Sequence, residues 1–287
     1  MCDEHTAADN DRALGGITRR GFTAAAAATG MMAILPTPAN AATVKGRDVT
    51  IKTADGTADA YFVAPTSGKH PAVLVWPDIM GLRPAFRQMA DRLAQSGYAV
   101  LTVNQFYRST KAPFLKPGQS FDQPEVRAMI MPWREPLTPA AITADATTFA
   151  AFLDAQPEVD AKRGMGSTGY CMGGPFVVRT AAALPGRVRA GGSFHGAPLV
   201  TEAPDSPHKL VPQLQGRYLF AIAENDDARA PGDKVALRTA FVAAKVPAEI
   251  EVYAGTMHGW CPPDSRVYNA AQADRAWDRL LATLAGL

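Results

Sequence analysis

Two dense apolar runs separated by an amphipathic stretch limit the folds open to this 287-residue chain. "PAVLVWPD" (71–78) and "YAVLTVN" (98–104) are apolar at almost every position, as strands buried on both faces are. Between them, "RPAFRQMADRLAQSG" puts Phe86, Met89 and Leu93 at helical spacing and closes on Gly97, a helix stop. The alternation continues: "GSTGY" precedes the helical "GGPFVVRTAAAL", and "RAGGSFHG", "RYLFAIAEND" and "AEIEVYAG" supply three further strands. Helical stretches "DKVALRTAFVAAK" and "NAAQADRAWDRLLATL" follow the last two, and "VTIKT" and "AYFVAP" read as an early strand pair. The expected class is α/β, with a mostly parallel, doubly wound sheet and helices on both faces. With 47% hydrophobic and 20% charged content, the chain suffices for one such core, so a second domain is not invoked.

The first 41 residues read differently. Arg19 and Arg20 stand together, Phe22 and a small-residue apolar run follow, and Ala39-Asn40-Ala41 forms an A-x-A cleavage pattern. That is the layout of an export signal, and the paired arginines resemble the twin-arginine type. Thr29, Gly30, Pro36 and Pro38 interrupt the run, against a permanent membrane span. The expected organisation is a signal at 1–41 and a single domain at 42–287. The precursor would engage the twin-arginine export machinery, and the mature protein would be periplasmic or secreted. Residues 42–287 carry 26 basic and 23 acidic residues, and no Lys/Arg block points to nucleic acid.

Residues 105–137 carry five prolines and little periodicity. They leave the carboxyl end of a strand, where ligand crevices of open α/β sheets lie, so a lid or binding loop is expected. Met129, Met131 and Trp133 are candidates for its apolar wall.

"GYCMGGP" (169–175) carries the chemistry. It fits neither glycine-rich phosphate loop and lacks their lysine. It does fit the nucleophile elbow, G-x-nucleophile-x-G, with Cys171 in the serine position. Small residues on either side let strand and helix pass closely, and the next amide, Met172, would face an oxyanion at a helix N-terminus. An elbow nucleophile needs an acid and then a histidine downstream. "YLFAIAENDD" ends a strand in carboxylates, and "YAGTMHGW" places His258 after the next one. Counting from the strand end favours Asp226 as the acid, and counting back from Pro231 favours Asp227; Asp226 is the choice made. His195 precedes the acid in chain order and His208 lies in a polar stretch. Cys261, three residues past His258, reads as a packing residue or as a disulfide partner for Cys171. No cysteine/histidine cluster has zinc spacing, and neither metal nor cofactor is expected.

"GYCMGG", "GTMHGW" and "PAVLVWPDIMGLRPAFRQMADRLAQSGYAVLTVNQFYR" together resemble the dienelactone hydrolase family of α/β-hydrolases, from about Ala60 to the C-terminus. The resemblance implies the α/β-hydrolase fold, a Cys171–His258–Asp226 triad and a small-molecule ester or lactone substrate. It also implies that Asp78, where the family prototype has glutamate, helps deprotonate the thiol. The Ile79 amide would join that of Met172 in the oxyanion hole, and Arg108 would bind a substrate carboxylate. A second family arginine, four residues after the histidine, is Pro262 here. That departure, the shorter Asp78 and the second thiol keep a rival open: a non-hydrolytic binding or thiol-redox protein on the same fold.

Overall fold

A computed structural model of the chain describes residues 8–10, 12–13 and 32–287. One sheet of eight strands runs through it: β1 (Val44–Thr53), β2 (Gly56–Pro65), β3 (Ala72–Trp76), β4 (Ala99–Val103), β5 (Met165–Tyr170), β6 (Val188–Phe194), β7 (Arg217–Ala223) and β8 (Ala248–Tyr253). Their order is β1-β2-β4-β3-β5-β6-β7-β8. The β1–β2 hairpin and the β2–β4 pairing are antiparallel, and all other pairings are parallel. This is the α/β-hydrolase fold that the sequence leads one to expect.

The apolar runs divide between the two faces with the period of a strand. Leu74 and Trp76 of β3 enter the core beneath the Pro139–Asp154, Gly173–Ala183 and Asp233–Ala244 helices. Val73 and Val75 enter the opposite core, against the Pro84–Gln95 and Ala270–Leu284 helices. Phe86, Met89 and Leu93 are buried there as their spacing predicts. The Pro139–Asp154 helix is one the strand–helix reading passes over. Its start is nevertheless written in the sequence: the Thr138 hydroxyl accepts the Ala141 N–H at 3.1 Å, and Pro139 occupies the first turn.

The proline-rich connection is ordered by its own aromatic residues. Phe106, Phe114 and Trp133 meet with ring centroids 5.0–6.0 Å apart. A short helix (Pro124–Ile130) buries Val126 and Ile130, whereas Met129 and Met131 point outward.

Arg19 and Arg20 lie outside the described residues, but the segment before Ala42 is visible from Met32. It packs on the domain. The Ala33 N–H donates to the Pro263 carbonyl at 3.0 Å and the Ala42 N–H to the Gln95 carbonyl at 2.9 Å. Leu35 is buried in the core that contains Met89, Cys261 and Trp277. No helix among the described residues is long and apolar enough to cross a membrane. A chain begun at Ala42 therefore loses one buried leucine. Stability is expected to fall by about 1.5–3 kcal/mol, a drop of several degrees in Tm. The Cys261 thiol should also become faster to react with an aromatic disulfide reagent. Thermal unfolding and thiol titration of the two chains check this.

Candidate active site

Strand β5 ends at Tyr170, and the chain turns at Cys171 with φ 54° before the Gly173–Ala183 helix begins. A left-handed backbone at a residue with a Cβ costs about 1–2 kcal/mol, and it is held here by close packing. A Cβ at Gly169 would lie 2.0 Å from the Gly173 carbonyl oxygen, and one at Gly173 would lie 2.4 Å from the Trp76 carbonyl oxygen. Glycine at both places is what lets the strand, the helix and β3 converge on the turn. The Cys171 N–H donates to the Phe194 carbonyl at 3.0 Å, and the Cys171 carbonyl accepts the Gly174 N–H at 3.0 Å. Cys171 is buried and disulfide-bonded in the structure; its partner is not Cys261, which is a free buried thiol. Burial pushes the Cys261 thiol well above the ordinary cysteine range, so it is a poor thiolate.

The acidic stretch after β7 is a short helical turn, Glu224–Arg229, and each of its first three side chains reaches the histidine loop. The Glu224 carboxylate accepts the Gly255 N–H at 2.5 Å, and the Asn225 side-chain oxygen accepts the His258 N–H at 2.8 Å. Asp226 Oδ2 lies 2.7 Å from His258 Nδ1. Asp227 turns away and pairs with Lys234 at 2.5 Å. Burial alone would raise the Asp226 pKa, but the adjacent His258 charge and hydrogen bond outweigh it and hold the carboxyl below its usual range. The ionised acid therefore accepts from Nδ1–H, which fixes the tautomer and leaves Nε2 as the basic nitrogen. Counting along the sequence could not separate Asp226 from Asp227; the hydrogen bond does. Glu224 and Asn225 were missed, since nothing in a run of four polar residues marks which ones brace a loop.

Asp78 sits on the turn after β3, and both its oxygens are engaged. Oδ1 accepts from Arg83 Nη1 at 2.6 Å and from the Met80 N–H at 2.9 Å; Oδ2 accepts from Arg83 Nη2 at 3.0 Å. The same guanidinium pairs with Asp264, through Nε at 2.6 Å and Nη2 at 2.9 Å. The Asp78 carbonyl accepts the Gly81 N–H at 2.9 Å and Gln105 Nε2 at 2.7 Å. The turn is thus pinned around Ile79. Among the described residues neither the Ile79 nor the Met172 amide N–H has an acceptor.

Arg108 is placed at the end of the sheet nearer β2. Its Nη1 and Nη2 bind the buried Asp145 at 2.7 and 2.9 Å, and its Nε and Nη2 bind Asp55 at 2.9 and 2.6 Å. All three guanidinium nitrogens are thus engaged with carboxylates, one buried and one exposed. His195, on the loop after β6, has its ring centroid 5.1 Å from that of His258. Its position after "GGSF" is the sequence signal that puts it near the pocket. His208 is held instead by Ser206, Oγ to Nδ1 2.9 Å. Among the described residues no group of three or more His, Cys, Asp or Glu side chains could hold a metal ion.

Known proteins resemble this chain in sequence and in fold. Residues 58–286 match the model of the dienelactone hydrolase family. A Synechocystis sp. protein provisionally named carboxymethylenebutenolidase is 28% identical over 225 residues, covering 77% of this chain and 88% of its own. Two solved structures share the fold. One is a dienelactone hydrolase-like promiscuous phosphotriesterase from metagenomic libraries (TM-score 0.68, 22% identity, 84% of this chain and 98% of that one). The other is a dienelactone hydrolase from Anabaena variabilis (TM-score 0.58, 16% identity, 83% and 98%). With the family model spanning most of the chain, the chain belongs to the dienelactone hydrolase family and is a hydrolase of the α/β-hydrolase fold.

Proposed function

We propose that the protein hydrolyses small esters or lactones through a Cys171 thiolate. The observation that carries this reading is the Asp226–His258 hydrogen bond, taken with the left-handed turn at Cys171 two strands away in the same sheet. In the reduced enzyme, His258 Nε2 takes the thiol proton. The thiolate attacks the carbonyl carbon, and the oxyanion rests on the Ile79 and Met172 amides. Collapse expels the alkoxide, which His258 protonates, and leaves a thioester. Water attacks that thioester with His258 as base, the C–S bond breaks, and the acid departs. Asp226 stays ionised throughout and stabilises the imidazolium.

Asp78 has a different part in this reading from the one the family resemblance implies. Its carboxylate faces Arg83, so deprotonation of the thiol falls to His258, and Asp78 acts by shaping the turn that presents the Ile79 amide. Arg108 ties the long connection to β1–β2 and to the Pro139–Asp154 helix.

Incubation with an activated aryl ester should give a burst that a thiol reagent blocks, and Cys171→Ala should abolish it with the fold intact. Asp226→Asn is expected to lower kcat by about a thousandfold or more, because the histidine loses the acceptor that sets its tautomer. Asp227→Asn should change kcat by no more than about threefold, since its partner is the surface Lys234. Equal losses in the two variants would sink the assignment of the acid.

Arg108→Ala should reduce kcat/KM by the same factor for an acidic ester and for its neutral methyl ester. It should also lower stability by about 3–5 kcal/mol, the usual cost of stranding a buried carboxylate such as Asp145. A loss confined to the acidic ester would restore Arg108 as a reader of substrate charge.

The leader is proposed to direct twin-arginine export, on the strength of Arg19, Arg20 and the A-x-A at 39–41. Replacing both arginines with lysine should leave the precursor in the cytoplasm, as fractionation and immunoblotting would show; unchanged delivery to the periplasm refutes it.

A further inference from the structure

His195 has no part in the reaction as written above, yet it occupies a costly position. The chain leaves β6 at this residue with φ 39°, a left-handed conformation uncommon outside glycine, although histidine is among the residues that adopt it more readily. The backbone around it is clamped from both sides. The Phe194 carbonyl accepts the Cys171 N–H at 3.0 Å, the His195 N–H donates to the Ala221 carbonyl at 2.8 Å, and the Ala197 N–H reaches the Cys171 carbonyl at 3.4 Å. His195 therefore stands on the crest of the sheet between the strand that ends in the nucleophile and the strand that ends in the acid.

Its ring is 1% exposed and meets the His258 ring at 5.1 Å and 66°, edge against face. Neither ring nitrogen has a hydrogen-bond partner among the described residues. Trp260, whose ring lies 6.3 Å away, also has an indole N–H without an acceptor there. Phenylalanine or leucine would fill the same space without stranding polar atoms, so packing does not account for an imidazole. Burial keeps that imidazole neutral, and the neighbouring His258 pushes in the same direction. A neutral imidazole carries one donor and one acceptor nitrogen on different edges of the ring; either one, with a nearby indole N–H, can hold a buried water.

We propose that His195 holds the water that hydrolyses the acyl-enzyme. This rests on the cysteine-acylation reading given above. The water oxygen, hydrogen-bonded to a His195 ring nitrogen, attacks the thioester carbon. Its proton passes to His258 Nε2, the C–S bond breaks, and the proton returns to the Cys171 sulfur. Acylation uses no water, so His195 acts on the second half-reaction alone.

The test separates the two halves in the reduced enzyme with an aryl ester that gives a chromophoric burst. His195→Phe keeps the ring and removes both nitrogens; His195→Leu serves the same purpose should the larger ring not fold. The burst rate and amplitude are expected to stay within about threefold of the parent enzyme, while steady-state release falls about tenfold or more. His195→Gln, which retains a donor and an acceptor, should recover part of the loss. Hydroxylamine attacks the thioester with its own nitrogen and needs no anchored water, so it should release the acyl group equally fast from parent and variant. Water release at the parent rate in the apolar variant overturns the proposal. Hydroxylamine release slowed as much as water release also overturns it, because His195 would then merely support His258. Absence of any thiol-blockable burst in the parent enzyme is a separate result, which removes the acyl-enzyme itself.

Discussion

The left-handed turn at Cys171 is the constraint on which the rest of the site is arranged. A strand and a helix can converge on one residue only if nothing larger than hydrogen stands at Gly169 and Gly173, where the nearest backbone oxygens leave no room for a methyl. The convergence starts the helix at Gly173, two residues past the turn, with Met172 as its N-cap. β3 pairs with β5 up to Trp76 and Gly169, so the turn that follows β3 arrives at the same crest with the Ile79 amide. The Trp76 indole N–H, bonded to the Thr180 hydroxyl at 3.0 Å, ties that strand to the elbow's helix from beneath.

Charge is used sparingly around this turn and is nearly all accounted for. Asp78 and Arg83 form a buried pair to which the exposed Asp264 adds a second carboxylate, and each carboxylate faces the guanidinium through two bonds. Arg108 has the same relation to Asp145 and Asp55. Ion pairs that are desolvated and fully hydrogen-bonded act mainly as fixed geometry, because a partner once freed would be left charged in a poor solvent. The Asp226–His258 pair differs in one respect: its basic partner is an imidazole, not a guanidinium. The His195 ring, kept neutral by burial, sits against it without adding a competing charge.

How much of this was legible in the chain depends on the range of the interaction. The strands, the elbow and the acid-before-histidine order follow from local patterns: apolar runs, small residues two positions either side of a nucleophile, and polar residues at strand ends. The Pro139–Asp154 helix escaped notice because its apolar residues, many of them alanines, give little amphipathic contrast, although its cap was in plain view at Thr138. The carboxylates were harder. Asp226 and Asp227 differ by one position on a helical turn, roughly 100° of rotation, and the direction of that turn is set by how β7 meets β8. Arg108 was expected to face a ligand, and only the approach of the Pro139–Asp154 helix and the β1–β2 hairpin supplies the two acids that fill its fork.

By itself, then, the sequence determined the class of sheet, the tight turn at Cys171 and the family, because periodicity and turn chemistry act over a few residues. The tertiary structure decided which acid faces His258, which partner neutralises Asp78, that Leu35 packs against the domain, and that His195 comes within ring contact of His258. These are contacts between residues up to some two hundred positions apart, such as Arg83 with Asp264, and no local pattern encodes the packing of strands and helices that brings them together.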